Sequence, residues 1–393
     1  MALFLVLIIT EILTLAALRQ HFYDRSWMTY YFCVIAHVVL SIWLWILWFE
    51  TIAYDGIFDE PRHIWILLNL AGMICAVVLP RILLIIFHFS GRLIRRKSGG
   101  HSRALTNTGL AFSVIIFVIL ATSTLYGRFN FKTENYSIKI KGLKPELNGL
   151  KIVQISDLHL SSFYHHTDLL RNVMNQIKAI DPDLVINTGD FITFGWRESA
   201  GSDSILSIPK GKYGNFAVMG NHDFGTYDPF FTEADKDNNV LLMNKFIESS
   251  GFIVLNDESA SVKIGNARIA MIGVMTKGSF PKIIHGDLAK AAIGTDSEDL
   301  RILLSHDPNH WGKAVKGRTN IEVTLSGHTH GMQIGILTKK FKWSPAKYFY
   351  PQWNGLYSAG EQNLVVNRGL GVLGIPFRVW MPPEISVITI LSE

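Results

Sequence analysis

Four long apolar stretches crowd the first 126 positions of the chain, at about 2–18, 28–49, 64–87 and 105–126. Beyond them, hydrophobic residues fall into short runs separated by polar segments. A helix needs roughly 20 apolar residues to cross a bilayer. Each stretch therefore predicts a membrane-spanning helix, and residues 1–126 a transmembrane domain of four. The second stretch carries Trp43, Trp45 and Trp48 near one end, which marks a headgroup boundary. Pro80 and Arg81 interrupt the third, predicting either a kink or an end followed by an interfacial segment. The first lacks a basic leading segment and a small-residue cleavage site, so it reads as a span and not as a signal peptide.

After Tyr126 the pattern changes period. Residues 127–149 read as a linker (127–135) and a first strand, and 150–393 as a globular domain. Apolar strands are predicted at 151–155, 184–187, 215–219, 268–274, 301–304 and 321–325, with later ones near 363–366 and 385–391. Helical patterns fit 167–180, 232–250 and 309–316. Near-continuous apolar strands alternating with helices predict an α/β domain whose sheets are covered on both faces.

Charge adds an orientation. The formal net charge is +5, and in a membrane protein the placement of that charge matters more than its sum. The segment between the third and fourth stretches holds Arg92, Arg95, Arg96, Lys97 and Arg103, and the one between the first and second holds Arg19 and Arg25. The segment between the second and third holds Glu50, Asp55, Asp59 and Glu60 against Arg62 alone. Basic loops stay cytoplasmic. This places the amino terminus and the globular domain outside, facing the periplasm or exterior of a bacterial inner (cell) membrane. The two cysteines, Cys33 and Cys75, both lie in apolar stretches. The globular part thus has neither a disulfide framework nor a thiolate metal site.

The chemistry sits where strands end. The run 151–155 leads into Ser156-Asp157-Leu158-His159, and 184–187 into Thr188-Gly189-Asp190. The run 215–219 leads into Gly220-Asn221-His222-Asp223, 301–304 into Ser305-His306-Asp307, and 321–325 into Ser326-Gly327-His328-Thr329-His330. Taken singly, an Asp-x-His after a strand is usually a capping or surface pair. Five such clusters in order have no bland structural explanation, because loops at the carboxyl ends of strands gather into one crevice. Imidazole and carboxylate together suit Zn, Mn or Fe(II). Two such cations clamp a phosphoryl group and acidify water, and one carboxylate can bridge them. Gly189, Gly220 and Gly327 are expected to let the backbone turn sharply toward the ions. His165 and His166 read as solvated residues at a helix start, and His310 as part of the helix after His306; His285 has no informative context.

These motifs, with LSHDP at 304–308, GHTHGMQ at 327–333, NRGLG at 367–371 and MPPEISVITI at 381–390, resemble the calcineurin-like metallophosphoesterase superfamily over roughly residues 150–392. The resemblance extends to its bacterial membrane-associated YkuE/YaeI type. It implies a four-layer αββα sandwich and two divalent metal ions, Mn, Fe or Zn. It implies Asp157, His159 and His330 on the first, Asn221, His306 and His328 on the second, and Asp190 bridging. It also implies that His222 steadies or protonates the phosphate ester, with Asp223 fixing its tautomer. Met332 departs from the pattern, standing where many members have a second glycine.

The substrate is less legible. Residues 341–357 alternate aromatic and basic side chains without helical period. Trp343, Tyr350 and Met332 are candidate substrate- or membrane-facing residues, and the segment reads equally as an interfacial belt meeting lipid headgroups or as a loop packed on the core. The favoured reading is a hydrolase of phosphodiesters or phosphomonoesters of a membrane lipid, a lipid-linked phosphate or another cell-envelope compound. Alternatives are a nucleotide or nucleic-acid phosphodiesterase, for which the basic footprint is thin, and a non-catalytic receptor for metal or phosphate, against which the complete ligand set counts. A nucleoside-diphosphate lipid pyrophosphatase also resembles this chain, but that reaction is cytoplasmic and the charge pattern opposes it.

Overall fold

The computed structural model describes residues 2–54, 56–98 and 103–393, with side chains at all of these except 95–98. Asp55 and the charges of Arg95, Arg96 and Lys97, used above for orientation, lie outside the described residues.

Four helices follow the apolar stretches: α1 (Ala2–Phe22), α2 (Trp27–Ala53), α3 (Pro61–Ser98) and α4 (Arg103–Leu125). All are long and apolar enough to cross a membrane. The third helix does not end at Pro80: α3 continues through it to Ser98. Neighbouring helices satisfy the polar groups there. The Ser113 hydroxyl donates to the Pro80 carbonyl at 2.7 Å, and Arg81 pairs with Glu11 at 3.5 Å and donates to Ser41 at 2.5 Å. The Trp45 indole N–H donates to the Glu11 carboxylate at 2.9 Å.

Two six-stranded sheets form the second part of the chain. The first is ordered β1 (Lys132–Ile140), β16 (Glu384–Ser392), β2 (Leu150–Ile155), β3 (Leu184–Asn187), β4 (Asn215–Ala217), β5 (Ile253–Val254). The second is ordered β14 (Gly355–Ala359), β15 (Gln362–Val366), β11 (Val323–Ser326), β10 (Leu300–Ser305), β7 (Ala267–Val274), β6 (Glu258–Ile264). Two small hairpins, β8 (Thr276–Ser279) with β9 (Lys282–His285) and β12 (Ile336–Leu337) with β13 (Lys342–Trp343), stand apart.

The sheets pack face to face through Ile152, Ile186, Phe216 and Ile388 of the first against Ile269, Met271, Ile302 and Val323 of the second. Helices α5 (Thr167–Ile180), α6 (Asp203–Leu206) and α7 (Glu233–Ser249) cover the outer face of the first sheet through Val173, Ile177, Leu206 and Met243. The outer face of the second is covered by α8 (Leu288–Ala291) and a single π turn at Trp311–Val315. The four layers are therefore helix, sheet, sheet, helix. The expected helix at 309–316 is present over 309–315, its last five residues being that π turn, and β6 and β14 escaped detection because they carry few buried residues, leaving no apolar run.

The chain forms two compact units: Met1–Asp55, Ile66–Tyr126 and Gly374–Phe377 in one; Gly56–Trp65, Gly127–Leu373 and Arg378–Glu393 in the other. The connection between α2 and α3 thus belongs to the unit that holds the sheets.

Candidate metal centre

All five polar clusters lie just beyond the carboxyl ends of strands, those of β2, β3 and β4 in one sheet and of β10 and β11 in the other. They converge into two groups of ligand-type atoms, Asp157 with His159 and His330, and Asp190 with His306 and His328, each group within 4.8 Å. His330 Nε2 stands 3.2 Å from Asp157 Oδ1 and 3.2 Å from His159 Nε2. His328 Nδ1 stands 3.1 Å from His306 Nε2. A single carboxylate oxygen links the groups, since Asp190 Oδ2 is 3.0 Å from His306 Nε2 and 3.9 Å from His159 Nε2.

The backbone is strained to achieve this. Asp157, His159, Asp190, His328 and His330 all sit at positive φ, between 40° and 70°. Left-handed non-glycine residues cost about 1–3 kcal/mol each and persist only where surrounding structure over-determines them. Of the three glycines expected to turn the chain, only Gly189 does so by conformation, at φ 101°. Gly220 and Gly327 are needed for space: a Cβ at Gly220 would overlap the Asp190 carboxylate, and one at Gly327 the Ser156 hydroxyl and the Asp157 carboxylate.

Each imidazole turns one nitrogen inward and anchors the other, the usual way a ligand ring is oriented. His159 Nδ1 meets the Thr193 hydroxyl at 3.1 Å, His306 Nδ1 the Thr188 carbonyl at 2.8 Å, and His328 Nε2 the Tyr350 hydroxyl at 2.9 Å. His330 Nδ1 faces Arg378 Nη2 at 3.3 Å, but that nitrogen already donates to the carbonyls of Arg368, Gly369 and Gly371. Arg378 is fully buried among these carbonyls, and burial pushes its guanidinium down to about 9.

The donor set fits divalent cations. Asn221 is buried, and its Nδ2 donates to the Tyr227 hydroxyl at 3.0 Å, whereas its Oδ1 has no hydrogen-bond partner. A buried carbonyl oxygen with no donor is costly unless a cation takes it. Burial, reinforced by neighbouring imidazoles, holds His159 well below its usual range and His328 at about 4, so both present lone pairs. Burial alone would lower His306 and raise Asp190. Their mutual attraction wins instead, pushing His306 up to about 10 and holding Asp190 well below the carboxylate range.

His222 is buried beside the centre, its ring 5.0 Å from that of His159 and stacked at 3.9 Å on Tyr227. Asp223 does not fix its tautomer. His222 Nδ1 faces the Thr193 carbonyl at 2.7 Å, so that oxygen takes the Nδ1 proton and leaves Nε2 free. The Asp223 carboxylate accepts instead from the amides of Asp190, Phe191, Ile192 and Gly220, at 2.8–3.2 Å. Burial and the Asp190 charge push it up to about 8.

This continues along the loop after β3. The amides of Thr193, Phe194 and Gly195 donate to Glu198, that of Trp196 to Asn239 at 2.8 Å, and that of Arg197 to Asp59 at 3.5 Å. Eight consecutive amides, from Asp190 to Arg197, are thus satisfied by side chains. None of Thr193, Glu198, Tyr227, Asn239 and Arg378 was singled out from sequence: Thr193 and Asn239 meet partners far along the chain, and Glu198 and Tyr227 meet near neighbours that no motif marks.

The three candidate substrate-facing residues separate. Tyr350 is a buried partner of His328, not a membrane contact. Trp343 is half-buried in the β12–β13 ladder, paired with Ile336. Met332 is 40 % exposed at φ 46°, two residues beyond His330. Exposed aromatics of the sheet-bearing unit include Phe230, Phe280, Phe341, Tyr348, Phe349 and Trp380. Phe280 and Phe349 meet edge to face at 6.2 Å, and the Phe280 amide donates to the Tyr227 hydroxyl at 3.0 Å. His285 and His310 stack at 4.4 Å, with His285 Nε2 3.0 Å from Asp307 and His310 Nδ1 2.8 Å from the Ser305 hydroxyl. His165 is exposed and His166 half-buried at the start of α5.

Two facing sheets with this ligand set at their strand ends define a metallophosphoesterase. Residues 150–332 match the family described as calcineurin-like phosphoesterase, and the domain belongs to that superfamily of hydrolases. Among its relatives is a "Transmembrane protein with metallophosphoesterase domain" of Danio rerio, 28% identical over 84% of this chain and 75% of the relative. Another is the "Uncharacterized metallophosphoesterase YkuE" of Bacillus subtilis, 29% identical over 66% of this chain and 86% of the relative. A third is the "UDP-2,3-diacylglucosamine pyrophosphatase LpxG" of Chlamydia muridarum, 27% identical over 63% of this chain and 85% of the relative.

Proposed function

We propose that the chain is a membrane-anchored phosphoesterase with a dinuclear centre, acting on a lipid or lipid-linked phosphate at the extracytoplasmic face of a bacterial cell membrane. The carrying observation is Asp190 Oδ2, one oxygen within reach of both ligand groups. In this reading Asp157, His159 and His330 hold one cation, Asn221, His306 and His328 the other, and Asp190 both. A bound pair of cations supplies charge neutralisation at the phosphoryl oxygens and acidifies water near neutral pH.

The protein's own residues do the rest. Thr193 holds the Nδ1 proton of His222, leaving Nε2 to carry and deliver a proton to the departing ester oxygen. Tyr227 fixes the plane of that ring by stacking and the amide of Asn221 by hydrogen bonding. Asp223 shapes the Asp190 loop through three of its amides and acts on the chemistry only through it.

The lipid reading rests on four helices able to cross a membrane, on the printed substrate of LpxG, and on the exposed pair Phe280 and Phe349. Each of these phenylalanines is one residue or one hydrogen bond from a partner of the centre, Phe349 through Tyr350 and Phe280 through Tyr227. Assay of purified protein with defined metals, on a soluble aryl phosphodiester and on phospholipids in mixed micelles, tests it. The double variant Phe280→Ser, Phe349→Ser is expected to lose activity on micellar lipid and keep it on the soluble ester. Equal loss on both assigns the pair to packing.

A further inference from the structure

Residues 56–65, the connection after α2 and the first turn of α3, belong to the compact unit of the sheets. Asp59 is fully buried there. Its carboxylate accepts from Arg197 Nη1 at 3.2 Å to each oxygen and from the Arg197 amide at 3.5 Å. It approaches the loop so closely that a Cβ at Gly195 would overlap it. Beside it, Phe58 packs edge to face on Phe194 at 4.6 Å and against Phe230 at 5.7 Å.

The loop that Asp59 grips orients the centre. Thr193 presents its carbonyl to His222 and its hydroxyl to His159. From Thr193 to Gly195 the backbone lies in no strand or helix, and only a single 3-10 turn, Trp196–Ser199, follows. The amides from Thr193 to Arg197 are held by Glu198 from within, by Asn239 from α7, and by Asp59 from a segment 138 residues earlier in the chain. Glu198 and Asn239 hold the loop to itself and to the Asp223 turn, where Asn239 Nδ2 donates to the Asp223 carbonyl at 2.8 Å. Asp59 and Phe58 form its outer support.

We propose that Asp59, through Arg197, is a positioning residue for His222, so that the connection between the second and third helices is a working part of the active-site wall. This inference rests on the reading of His222 as the proton donor. A shift of the Thr193 carbonyl by a few tenths of an ångström rotates the imidazole or releases its Nδ1 proton to the wrong tautomer. Productive proton transfer tolerates little of either.

The test uses the full-length protein in detergent, with metal content, kcat, KM and the pH profile of kcat measured on a soluble aryl phosphodiester. Asp59→Asn is expected to keep both metals and KM, to lower kcat about tenfold, and to shift the limb of the pH profile that His222 governs. It should add no further loss in a His222→Ala background, because both changes act through one group. Arg197→Gln, at a side chain one-third exposed, should reproduce the effect from the other partner and serves where Asp59→Asn fails to fold. Asp59→Glu should retain most of the activity. Unchanged kcat in Asp59→Asn and Arg197→Gln, with His222→Ala inactive, overturns this inference and leaves the proposed mechanism standing. The same holds if Asp59→Asn causes an equal fold-loss in the His222→Ala background. Full turnover by His222→Ala overturns both.

Discussion

His222 Nδ1 lies 2.7 Å from the carbonyl oxygen of Thr193, so a backbone group, not the neighbouring carboxylate, sets the tautomer of this imidazole. His222→Ala is therefore expected to leave the ligand groups intact. Metal content by elemental analysis should stay at two equivalents while turnover falls by about 10²–10⁴, the usual worth of a positioned acid. Unchanged turnover removes His222 from the mechanism.

Asp190 presents one carboxylate oxygen to both groups. Asp190→Asn is expected to lose both metals, read by elemental analysis after gel filtration. Retention of two equivalents shows that another group bridges.

Gly220→Ala places a methyl against the Asp190 carboxylate. Overpacking typically costs about 1–3 kcal/mol, and here it falls on the shared ligand. Both the thermal midpoint and metal occupancy should drop. A fully loaded variant with unchanged midpoint contradicts the close approach.

Tyr350→Phe removes the hydroxyl at His328 Nε2 and nothing else. Loss of such an outer partner typically weakens metal affinity about 10–100-fold. Competition with a chelator should show it, with equal effect on soluble and micellar substrates.

His310 gives a pH dependence. Burial, with His285 stacked on it, pushes this imidazole down from 6.5 to about 4. The unfolded chain therefore takes up a proton first as the pH falls. The stability tied to the neutral ring is complete above pH 6.5 and is lost between 6.5 and 4, by about 3 kcal/mol. Thermal unfolding of chelator-treated protein between pH 7 and 4.5 should show a shallower slope for His310→Gln than for the parent chain. Equal slopes assign the dependence elsewhere.

The sequence by itself determined most of the elements and the residues that gather at the candidate centre. Apolar length marked the four helices, because a bilayer demands an uninterrupted stretch. Polar clusters at the ends of buried strands marked Asp157, His159, Asp190, Asn221, His306, His328 and His330, because strand ends in such sheets face one crevice. What only the tertiary structure decided were the partners of these groups. The Thr193 carbonyl, the Tyr350 hydroxyl, the unbroken helix through Pro80 and the grip of Asp59 on Arg197 join residues far apart along the chain or use backbone atoms that every residue carries. Local pattern records which side chains a segment offers; which atom meets them is fixed only when distant segments pack.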